Sequence, residues 1–487
     1  MSGSTHNGRS GRPARRGRPG QPPRGPRTPL DPARLAAFEV LKAVRVEDAY
    51  ANLALPHVLA RLGLSGRDAA FATELASGTL RGIGTYDAVL GACVDRPLAK
   101  VEAKVLDLLR LGTHQILAMR VPTHAAISTT VDLVKSKVGP GAGGFTNAVL
   151  RKVAAKSLDE WAADMPLPDR TSHPAWVVEL LDEALTVCAP DETVGDTPES
   201  ATASSGDREL EALLTADNEP PRVTLVARPG RSNRDELAGA ATRFSPYGVT
   251  LAGGSPAEIP AVAEGRAGVQ DEGSQLVALA LAEAPIDRQA GSGAEGELWL
   301  DLCAGPGGKA ALLDALADQA GAVLIGNERQ PHRAGLVRAN GVPRVVAADG
   351  TKPPFRPGSF DRVLVDAPCS GLGALRRRPE SRWRRKASDI ADLVPVQQEL
   401  LRSALDLVRL GGVVVYATCS PALAETRDIV AAILAEDPTV VVEPVSGAAG
   451  GIPDSAGPLP NTVQLWPHRH ATDAMFIAVL RRGSTTA

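Results

Sequence analysis

Two cysteines stand where apolar, β-forming runs end, and each has a serine after it and a proline nearby. Cys369 follows "RVLVDAP", and Cys419 follows "VVVYAT". A free thiol with a pKa near 8.5 is only about 3% thiolate at neutral pH unless its surroundings intervene. Carbon 5 of a pyrimidine accepts a methyl group only after a nucleophile has added to carbon 6, and a cysteine thiolate is suited to that addition. The alternative is that two small, inert side chains happen to end two strands.

A glycine-rich turn follows another apolar run, in "DLCAGPGGKAALL" at residues 301–313. Its glycines allow a sharp turn and close approach of a ligand, and the helix that follows directs its amide dipole into the same space. A phosphate loop needs Ser or Thr after the lysine, whereas Ala310 follows Lys309 here. The G-x-G-x-x-G pattern of dinucleotide folds is also missing. We therefore favour S-adenosyl-L-methionine (AdoMet) as the ligand.

Acidic residues end the next three predicted strands. Glu328 follows the glycines by about 20 residues, at the position where a carboxylate accepts both ribose hydroxyls. Asp349 is placed to accept the adenine amino group, and Asp366 lies within reach of the methionyl end of the cofactor and of a substrate. Each acid taken singly is equally typical of a helix N-cap or a loop, and Glu328 alone does not separate AdoMet from NAD. The three together favour a cofactor site.

Composition limits the remaining classes of protein. The chain has 487 residues, is 44% hydrophobic and has five cysteines, without C-x-x-C spacing or a histidine cluster. We predict no metal site, no disulfide framework and a reducing, cytoplasmic setting. No apolar run approaches the roughly 18 residues of a membrane span. Residues 1–30 carry seven arginines and no acid; they are either a tether for polyanions or a solubilising terminus.

The elements that position these residues fall into four segments. Residues 1–30 are predicted to be a disordered basic tail, and residues 31–157 show helical periodicity throughout, which indicates an all-α bundle. Residues 158–268 combine a linker helix, an acidic flexible insertion near 188–208 and a small α/β module. Residues 269–487 alternate near-continuous apolar strands with helices, which predicts a parallel, Rossmann-like sheet, and end in an antiparallel edge.

The motifs "CAGPGGK" (303–309), "DAPCSGLGALRRRPESRW" (366–383) and "YATCSP" (416–421) together resemble the Sun (Fmu) family of RNA 5-methylcytosine methyltransferases. "VQDEGSQLVA" (269–278) is similar to the segment that precedes the cofactor loop in that family. "ASGTLRGIGTYDAVL" and "GFTNAVLRKV" resemble the NusB-like RNA-binding domain of its ribosomal small-subunit methyltransferase B branch. The resemblance implies a NusB-like bundle joined to a class I AdoMet-dependent methyltransferase domain.

The resemblance also implies a role for individual residues. It makes Cys419 the attacking nucleophile, Cys369 the residue that helps to break the covalent intermediate, and Asp366 a contact to the base. It implies cofactor binding by a set of residues on the glycine turn and at the strand ends: Cys303, Ala304, Gly305, Pro306, Gly307, Gly308, Lys309, Glu328, Asp349 and Asp366. After the T-C-S motif the family commonly shows Glu-Glu-Asn, whereas this chain has Ala424, Glu425 and Thr426.

A cluster of cations directly after Cys369 predicts the side that faces the substrate. Its charges surround Trp383 and are Arg376, Arg377, Arg378, Arg382, Arg384, Arg385 and Lys386. Such a cluster is suited to phosphates and base stacking, or is simply a solvated face. We predict a monomeric rRNA (cytosine-5)-methyltransferase that acts on 16S rRNA. The alternatives are a NusB-like RNA-binding or antitermination factor with an idle catalytic domain, and an NAD-type oxidoreductase.

Overall fold

A computed structural model describes residue 3 and residues 30–188, 205–287 and 296–483. The predicted basic tail of residues 1–30 lies almost wholly outside the described residues. Most of the acidic insertion near 188–208 and most of the glycine-rich spacer near 290–296 lie outside them as well. Within the described ranges, no helix is long and apolar enough to cross a membrane.

The N-terminal part is an all-α bundle, as predicted. Its first helix begins at Pro32, and the preceding Asp31 caps it by accepting the amide hydrogen of Arg34 at 2.8 Å. Apolar residues at helical spacing turn inward, so that Ala33, Ala37 and Leu41 share one buried face. The bundle helices are α1 Pro32–Val46, α2 Ala51–Arg61, α3 Gly66–Arg81, α4 Ile83–Cys93, α5 Ala103–Leu117, α6 Thr123–Lys137 and α7 Ala142–Val153.

Four helices and a small sheet connect the bundle to the second half. The helices are α8 Leu158–Ala162, α9 Leu167–Arg170, α10 Ala175–Val187 and α11 Ser205–Ala216. The module that follows contains β1 Thr224–Ala227, β2 Gly239–Ala241, β3 Gly248–Leu251, α12 Pro260–Ala263 and β4 Ala267–Val269. Its four strands pair antiparallel in the order β2-β3-β1-β4. The apolar stretch "RVTLVAR" contains β1.

The C-terminal part is built on a mixed sheet. Its elements, in chain order, are α13 Glu272–Glu283, β5 Leu298–Asp301, α14 Gly308–Gln319, β6 Val323–Asn327, α15 Pro331–Ala339, β7 Val345–Val346, β8 Phe360–Asp366, α16 Ser381–Arg384, α17 Ala387–Leu407, β9 Val408–Thr418, α18 Arg427–Glu436, β10 Val440–Glu443, α19 Gly447–Gly450, β11 Val463–Gln464, α20 Pro467–His470 and β12 Phe476–Arg482. The strand order is β10-β12-β9-β8-β5-β6-β7, and β11 pairs with β12.

The topology of this sheet determines where its functional residues meet. The strands β7, β6, β5, β8 and β9 run parallel, and β12 pairs antiparallel with both β9 and β10, which confirms the predicted antiparallel edge. Helices cover both faces, so the strands are buried and apolar: the side chains from Val413 to Ala417 are fully enclosed. The carboxyl ends of the parallel strands therefore share one edge, where ligands bind in such sheets.

Candidate active site

The glycine turn lies between β5 and α14, at the carboxyl edge of the sheet. Gly307 is the residue before the helix and has φ of 119°, which only glycine adopts without strain. A Cβ atom at Gly305 would collide with the carboxylate of Glu328. The turn thus brings bare backbone against the next strand end, as the sequence predicts for a site that holds a ligand closely.

Carboxylates dominate the space in front of this turn. Asp301 ends β5 and Asp366 ends β8; one oxygen of Asp301, Oδ2, is buried and has no hydrogen-bond partner among the described residues. Burial first, and then the neighbouring Asp366, raises the pKa of Asp301 to about 8. Lys309 does not point a free charge outward, because its Nζ donates to Asp366 Oδ2 at 3.0 Å and to Ser274 Oγ at 3.3 Å.

The charges at this edge of the sheet distinguish between the candidate cofactors. A polyphosphate would be repelled by the carboxylates, and Lys309 is already paired, so the site is unsuited to a nucleotide phosphate. AdoMet carries a sulfonium and an ammonium group, which acids stabilise, and its amino-acid end needs close backbone rather than a phosphate cradle. The residues present therefore fit AdoMet, and contacts of the turn 303–309 and Asp366 to its methionyl end remain predictions.

Two further predicted cofactor residues lie at the neighbouring strand ends. Glu328 directly follows β6, is buried, and accepts the amide hydrogen of Gln330 at 2.8 Å, which orients its carboxylate. Asp349 lies beyond β7 and is more exposed; it accepts both the amide and the hydroxyl hydrogens of Thr351. These two bonds lower the pKa of Asp349. Contacts from Glu328 to ribose and from Asp349 to adenine remain predictions.

The structure brings the two strand-end cysteines together. Cys369 follows β8 and Cys419 follows β9, and their sulfur atoms are 3.5 Å apart. The hydrogen bond from Cys369 lowers the pKa of Cys419; burial and Asp366 oppose this, while Lys309 and Arg378 act in the same direction, and the net shift is downward. The same hydrogen bond, together with burial, raises the pKa of Cys369. Of the two sulfurs, Cys419 is therefore the one on which negative charge is favoured.

Cys303 provides an internal contrast at the same sheet edge. It follows β5 and packs against the apolar cluster beneath the sheet. Burial, followed by the nearby carboxylate of Asp301, raises its pKa well above the ordinary value. Cys303 is thus suited to line the turn and not to attack a substrate.

The charge on Lys309 gives a testable effect on Cys419. Lysine and thiolate attract each other, so we expect the Lys309→Met variant to raise the pKa of Cys419. The measurement is the rate of Cys419 alkylation by iodoacetamide as a function of pH, followed on the isolated peptide by mass spectrometry. Lys309→Arg is the matched control, because it keeps the charge. An unchanged alkylation profile in Lys309→Met would contradict this electrostatic coupling.

A buried carboxylate ties the two cysteine loops to each other. Glu425 is 0% exposed and accepts the amide hydrogen of Ser370 at 2.8 Å and the side-chain amide of Gln397 at 3.0 Å. The hydroxyl of Ser370 also donates to Glu425 and lies 3.1 Å from the hydroxyl of Ser420. The residues after Cys369 and after Cys419 are thereby held in one network. The sequence placed Glu425 beside the T-C-S motif but gave no sign of this role.

We expect Glu425→Gln to lower the free energy of unfolding by about 1–3 kcal/mol, because an amide nitrogen would then face buried donors. The expected loss is measured by chemical denaturation followed by circular dichroism. Glu436→Gln, at an exposed ion pair with Arg402, is the control and is expected to change stability by less than about 1 kcal/mol. Equal stability of the two variants would show that the network contributes little.

The predicted phosphate-binding cluster is largely engaged within the protein instead. Arg382 is 0% exposed and donates to the carbonyl oxygens of Ser172 and Asp217 and to Asn218 Oδ1 at 2.8 Å. These partners lie just after α9 and α11, in the connecting segment of the N-terminal half. The prediction that Arg382 binds RNA is wrong. A fully buried arginine with three oxygen partners in the protein cannot contact a phosphate of an RNA at the surface.

Neighbouring arginines are used in the same way. Arg384 donates to carbonyl oxygens between α1 and α2, among them Asp48 at 3.0 Å, and Arg385 donates to the carbonyl of Ser370 at 3.0 Å. Arg376 and Arg377 pair with Asp473, the latter also with Asp271. Trp383, 37% exposed, packs against α4 at Gly84, where a Cβ atom would not fit. Arg382, Trp383 and Arg384 thus join the two halves of the chain, whereas the other three arginines are bonded within the C-terminal half.

The fold and the site together define the class of protein. A doubly wound sheet with a glycine turn after its first strand, strand-end acids and a pair of strand-end thiols is that of an AdoMet-dependent methyltransferase, here joined to an all-α domain. Among the described residues, no group of His, Cys, Asp and Glu could hold a metal ion.

Comparison with known proteins identifies the family. Residues 291–481 match the family model described as 16S rRNA methyltransferase RsmB/F, and residues 31–155 match the NusB family. Rv1407 of Mycobacterium tuberculosis is 48% identical over 475 residues, covering 93% of this chain and 96% of the relative. Ribosomal RNA small subunit methyltransferase B of Pseudomonas syringae pv. tomato is 32% identical over 468 residues, covering 92% and 96%.

Solved structures agree on the fold. The crystal structure of PH0851 superposes with a TM-score of 0.73 at 21% identity and covers 93% of this chain and 99% of that one. NSun6 from Pyrococcus horikoshii, solved with SFG, gives a TM-score of 0.51 at 17% identity over 64% and 98%.

The chain belongs to the RsmB/F family of rRNA methyltransferases, with an N-terminal NusB domain. Its cofactor is AdoMet, as predicted. The suspected family and the predicted fold class are both confirmed, and an NAD-type oxidoreductase and an idle catalytic domain are not favoured.

Proposed function

We propose that this protein methylates carbon 5 of a cytosine in 16S rRNA through a covalent bond between Cys419 and carbon 6 of the base. The observation that carries the proposal is the pair of sulfur atoms 3.5 Å apart, of which only Cys419 has a lowered pKa. Methylation of a ring nitrogen or a ribose hydroxyl needs no sulfur nucleophile. Methylation of carbon 5 does need one, and Cys419 at the cofactor edge is suited to supply it.

The residues of the chain divide the reaction between them. Cys419 adds to carbon 6, and the displaced π electrons make carbon 5 nucleophilic. When bound, AdoMet supplies a methyl group on a positively charged sulfur. The proton on carbon 5 then leaves to a base at the site, and the electron pair of that C–H bond expels Cys419 as a thiolate. The thiol of Cys369, whose sulfur lies 3.5 Å away, is placed to stabilise that departing thiolate by a hydrogen bond. The pyrimidine ring regains its double bond and no external redox partner is needed.

Asp366 and Lys309 form an ion pair, and each has a role in this reaction. Asp366 is half-buried beside Cys369 and is the candidate contact to the base. Lys309 is the last residue of the turn 303–309, and its positive charge favours the thiolate of Cys419. Burial acts to lower the pKa of Lys309, but Asp366 and Cys419 outweigh it, so Lys309 stays protonated while the thiolate forms.

The substrate side follows from the NusB domain and the geometry of attack. Carbon 6 is exposed to a nucleophile only when the base has left its stack, so a loop, a bulge or partly unfolded rRNA is favoured over an intact duplex. The relative from Pseudomonas syringae is named as acting on small-subunit rRNA, which supports the same substrate here. We place the reaction in the cytoplasm and expect a monomer, with domain boundaries after residues 30, 157 and 268.

The test is methyl transfer from radiolabelled AdoMet to unmodified 16S rRNA, followed by digestion to nucleosides and chromatography. The expected product is 5-methylcytidine, and bisulfite sequencing of rRNA from a deletion strain then locates the nucleotide. Label in a different nucleoside would overturn the cytosine-5 assignment. Absence of any label, together with tight RNA binding, would favour an RNA-binding factor with an idle catalytic domain.

A further inference from the structure

Arg378 differs from the arginines on either side of it. Its side chain is half-buried, and it makes no hydrogen bond or ion pair with any residue that the structure describes. Arg376, Arg377, Arg382, Arg384 and Arg385 all donate to oxygen atoms of the protein. A guanidinium group that is partly removed from water and lacks an anion is costly unless a ligand supplies one. Among the arginines of the cluster, Arg378 is therefore the one that remains available.

The backbone places Arg378 directly after a turn that contacts the Cys419 loop. A short 3₁₀ turn, Leu372–Ala374, lies against the Cys419 loop, where the amide of Gly373 donates to the carbonyl of Cys419 at 2.9 Å. The amide of Arg378 in turn donates to the carbonyl of Ala374 at 3.0 Å. Arg378 thus follows, within one turn of chain, the element that touches Cys419. Its positive charge contributes to lowering the pKa of that thiol.

The NusB domain holds Arg378 in place. The guanidinium carbon of Arg378 lies 4.8 Å from the centre of the Tyr50 ring, and that of Arg384 lies 5.2 Å from it. Tyr50 precedes α2, and the amide of the next residue, Ala51, donates to Glu380 at 3.0 Å. Cation–π contact orients a guanidinium without neutralising it. Tyr50, which belongs to the helical domain, is thus a positioning residue for Arg378.

We propose that Arg378, positioned by Tyr50, binds a backbone phosphate of the RNA beside the target nucleotide. The inference deepens the proposed function and rests on RNA being the substrate. The planar guanidinium group of arginine can donate to two oxygens of one phosphate at once. A phosphate is also the anion that recurs at each nucleotide of an RNA backbone. One such contact at the domain junction fixes the register of the strand relative to Cys419, because phosphate contacts orient the nucleic acid without reading its sequence.

The test measures RNA binding rather than methyl transfer. Fluorescence anisotropy with a short single-stranded oligoribonucleotide, at several salt concentrations, gives the Kd and its salt dependence. We expect Arg378→Ala to raise the Kd about tenfold and to reduce the slope of log Kd against log salt by about 0.7, the value for one phosphate on a single strand. Arg378→Lys should keep the slope. Arg402→Ala, which removes one exposed arginine on α17, is the control and should leave both quantities unchanged.

Two variants of Tyr50 separate positioning from folding. Tyr50→Phe keeps an aromatic ring and should bind RNA like the wild type, whereas Tyr50→Ala should weaken binding at least threefold with an unchanged salt slope, because the charge is still present. Thermal melting of each variant reports on folding. If Tyr50→Phe and Tyr50→Ala bind equally well, the positioning role is wrong.

The outcomes distinguish this proposal from the proposed function. An unchanged Kd and slope in Arg378→Ala would overturn the phosphate contact even if 5-methylcytidine is formed. A loss of AdoMet affinity in Arg378→Ala, with unchanged RNA binding, would assign Arg378 to the cofactor instead and would also overturn it. Conversely, the reduced slope would stand even if the methylated nucleoside proved to be a different one.

Discussion

The Cys369→Ala variant is expected to accumulate a covalent complex with its RNA. In this variant Cys419 loses the hydrogen bond from Cys369 but still adds to carbon 6, because Lys309 and Arg378 continue to favour its thiolate. The thiol 3.5 Å away that assists the departure of Cys419 is missing. Elimination then becomes slower than addition, so the protein stays bonded to the base. The measurement is denaturing gel electrophoresis with labelled RNA, in which the bonded species survives detergent and migrates more slowly than free protein. We expect this species to rise from a trace to the main RNA-containing product.

The control for this experiment is the double variant Cys369→Ala, Cys419→Ala, which should form no detergent-resistant complex. Cys93→Ala, at a buried thiol in α4 of the NusB domain, should behave like the wild type. Equal accumulation with Cys369→Ala and Cys419→Ala would show that the roles assigned to the two sulfurs are wrong.

The second large effect is expected for Cys419→Ala, which should lower the rate of methyl transfer by at least about 10³-fold, or about 4 kcal/mol of transition-state stabilisation. Without the sulfur, carbon 5 has no means of becoming nucleophilic, since no other described thiol at the sheet edge has a lowered pKa. The rate is measured under single-turnover conditions with excess enzyme, which separates the chemical step from product release.

Binding measurements show whether Cys419→Ala impairs the chemical step or the binding of AdoMet and RNA. Calorimetric titration with AdoMet should give the wild-type affinity within about threefold, because the cofactor turn at 303–309 is untouched. RNA affinity should also be retained. Methyl transfer at more than about a tenth of the wild-type rate would exclude Cys419 as the nucleophile and point to a reaction that needs no covalent step.

Much of the architecture follows from sequence because the relevant signals are local. Long apolar runs such as the one ending at Thr418 have to be buried on both faces, and parallel strands bring their carboxyl ends to one edge. Cys369, Cys419 and Asp366 were therefore predicted to converge. The 3.5 Å distance between the sulfurs was not predictable, since it depends on the register between β8 and β9.

The arginine-rich segment shows where local signals fail. A run of cations is usually solvated, and nothing near Arg382 in the sequence reveals oxygen partners more than 160 residues earlier. The same is true of Glu425, whose partner Ser370 lies 55 residues before it. Both residues are buried polar groups that become acceptable only when distant donors or acceptors meet them. Such pairing is a property of the folded chain and has no periodicity to detect.

The burial of Arg382 and the packing of Trp383 against α4 have a consequence for how this protein is built. A catalytic half produced by itself would leave a guanidinium without its carbonyl partners and an indole ring in water. The N-terminal half, which comprises the NusB domain and the connecting segment, is thus part of the scaffold of the reaction centre and not an adaptor that can be exchanged for another. A hybrid of two family members should be active only when both sides of the junction between the halves come from the same parent protein.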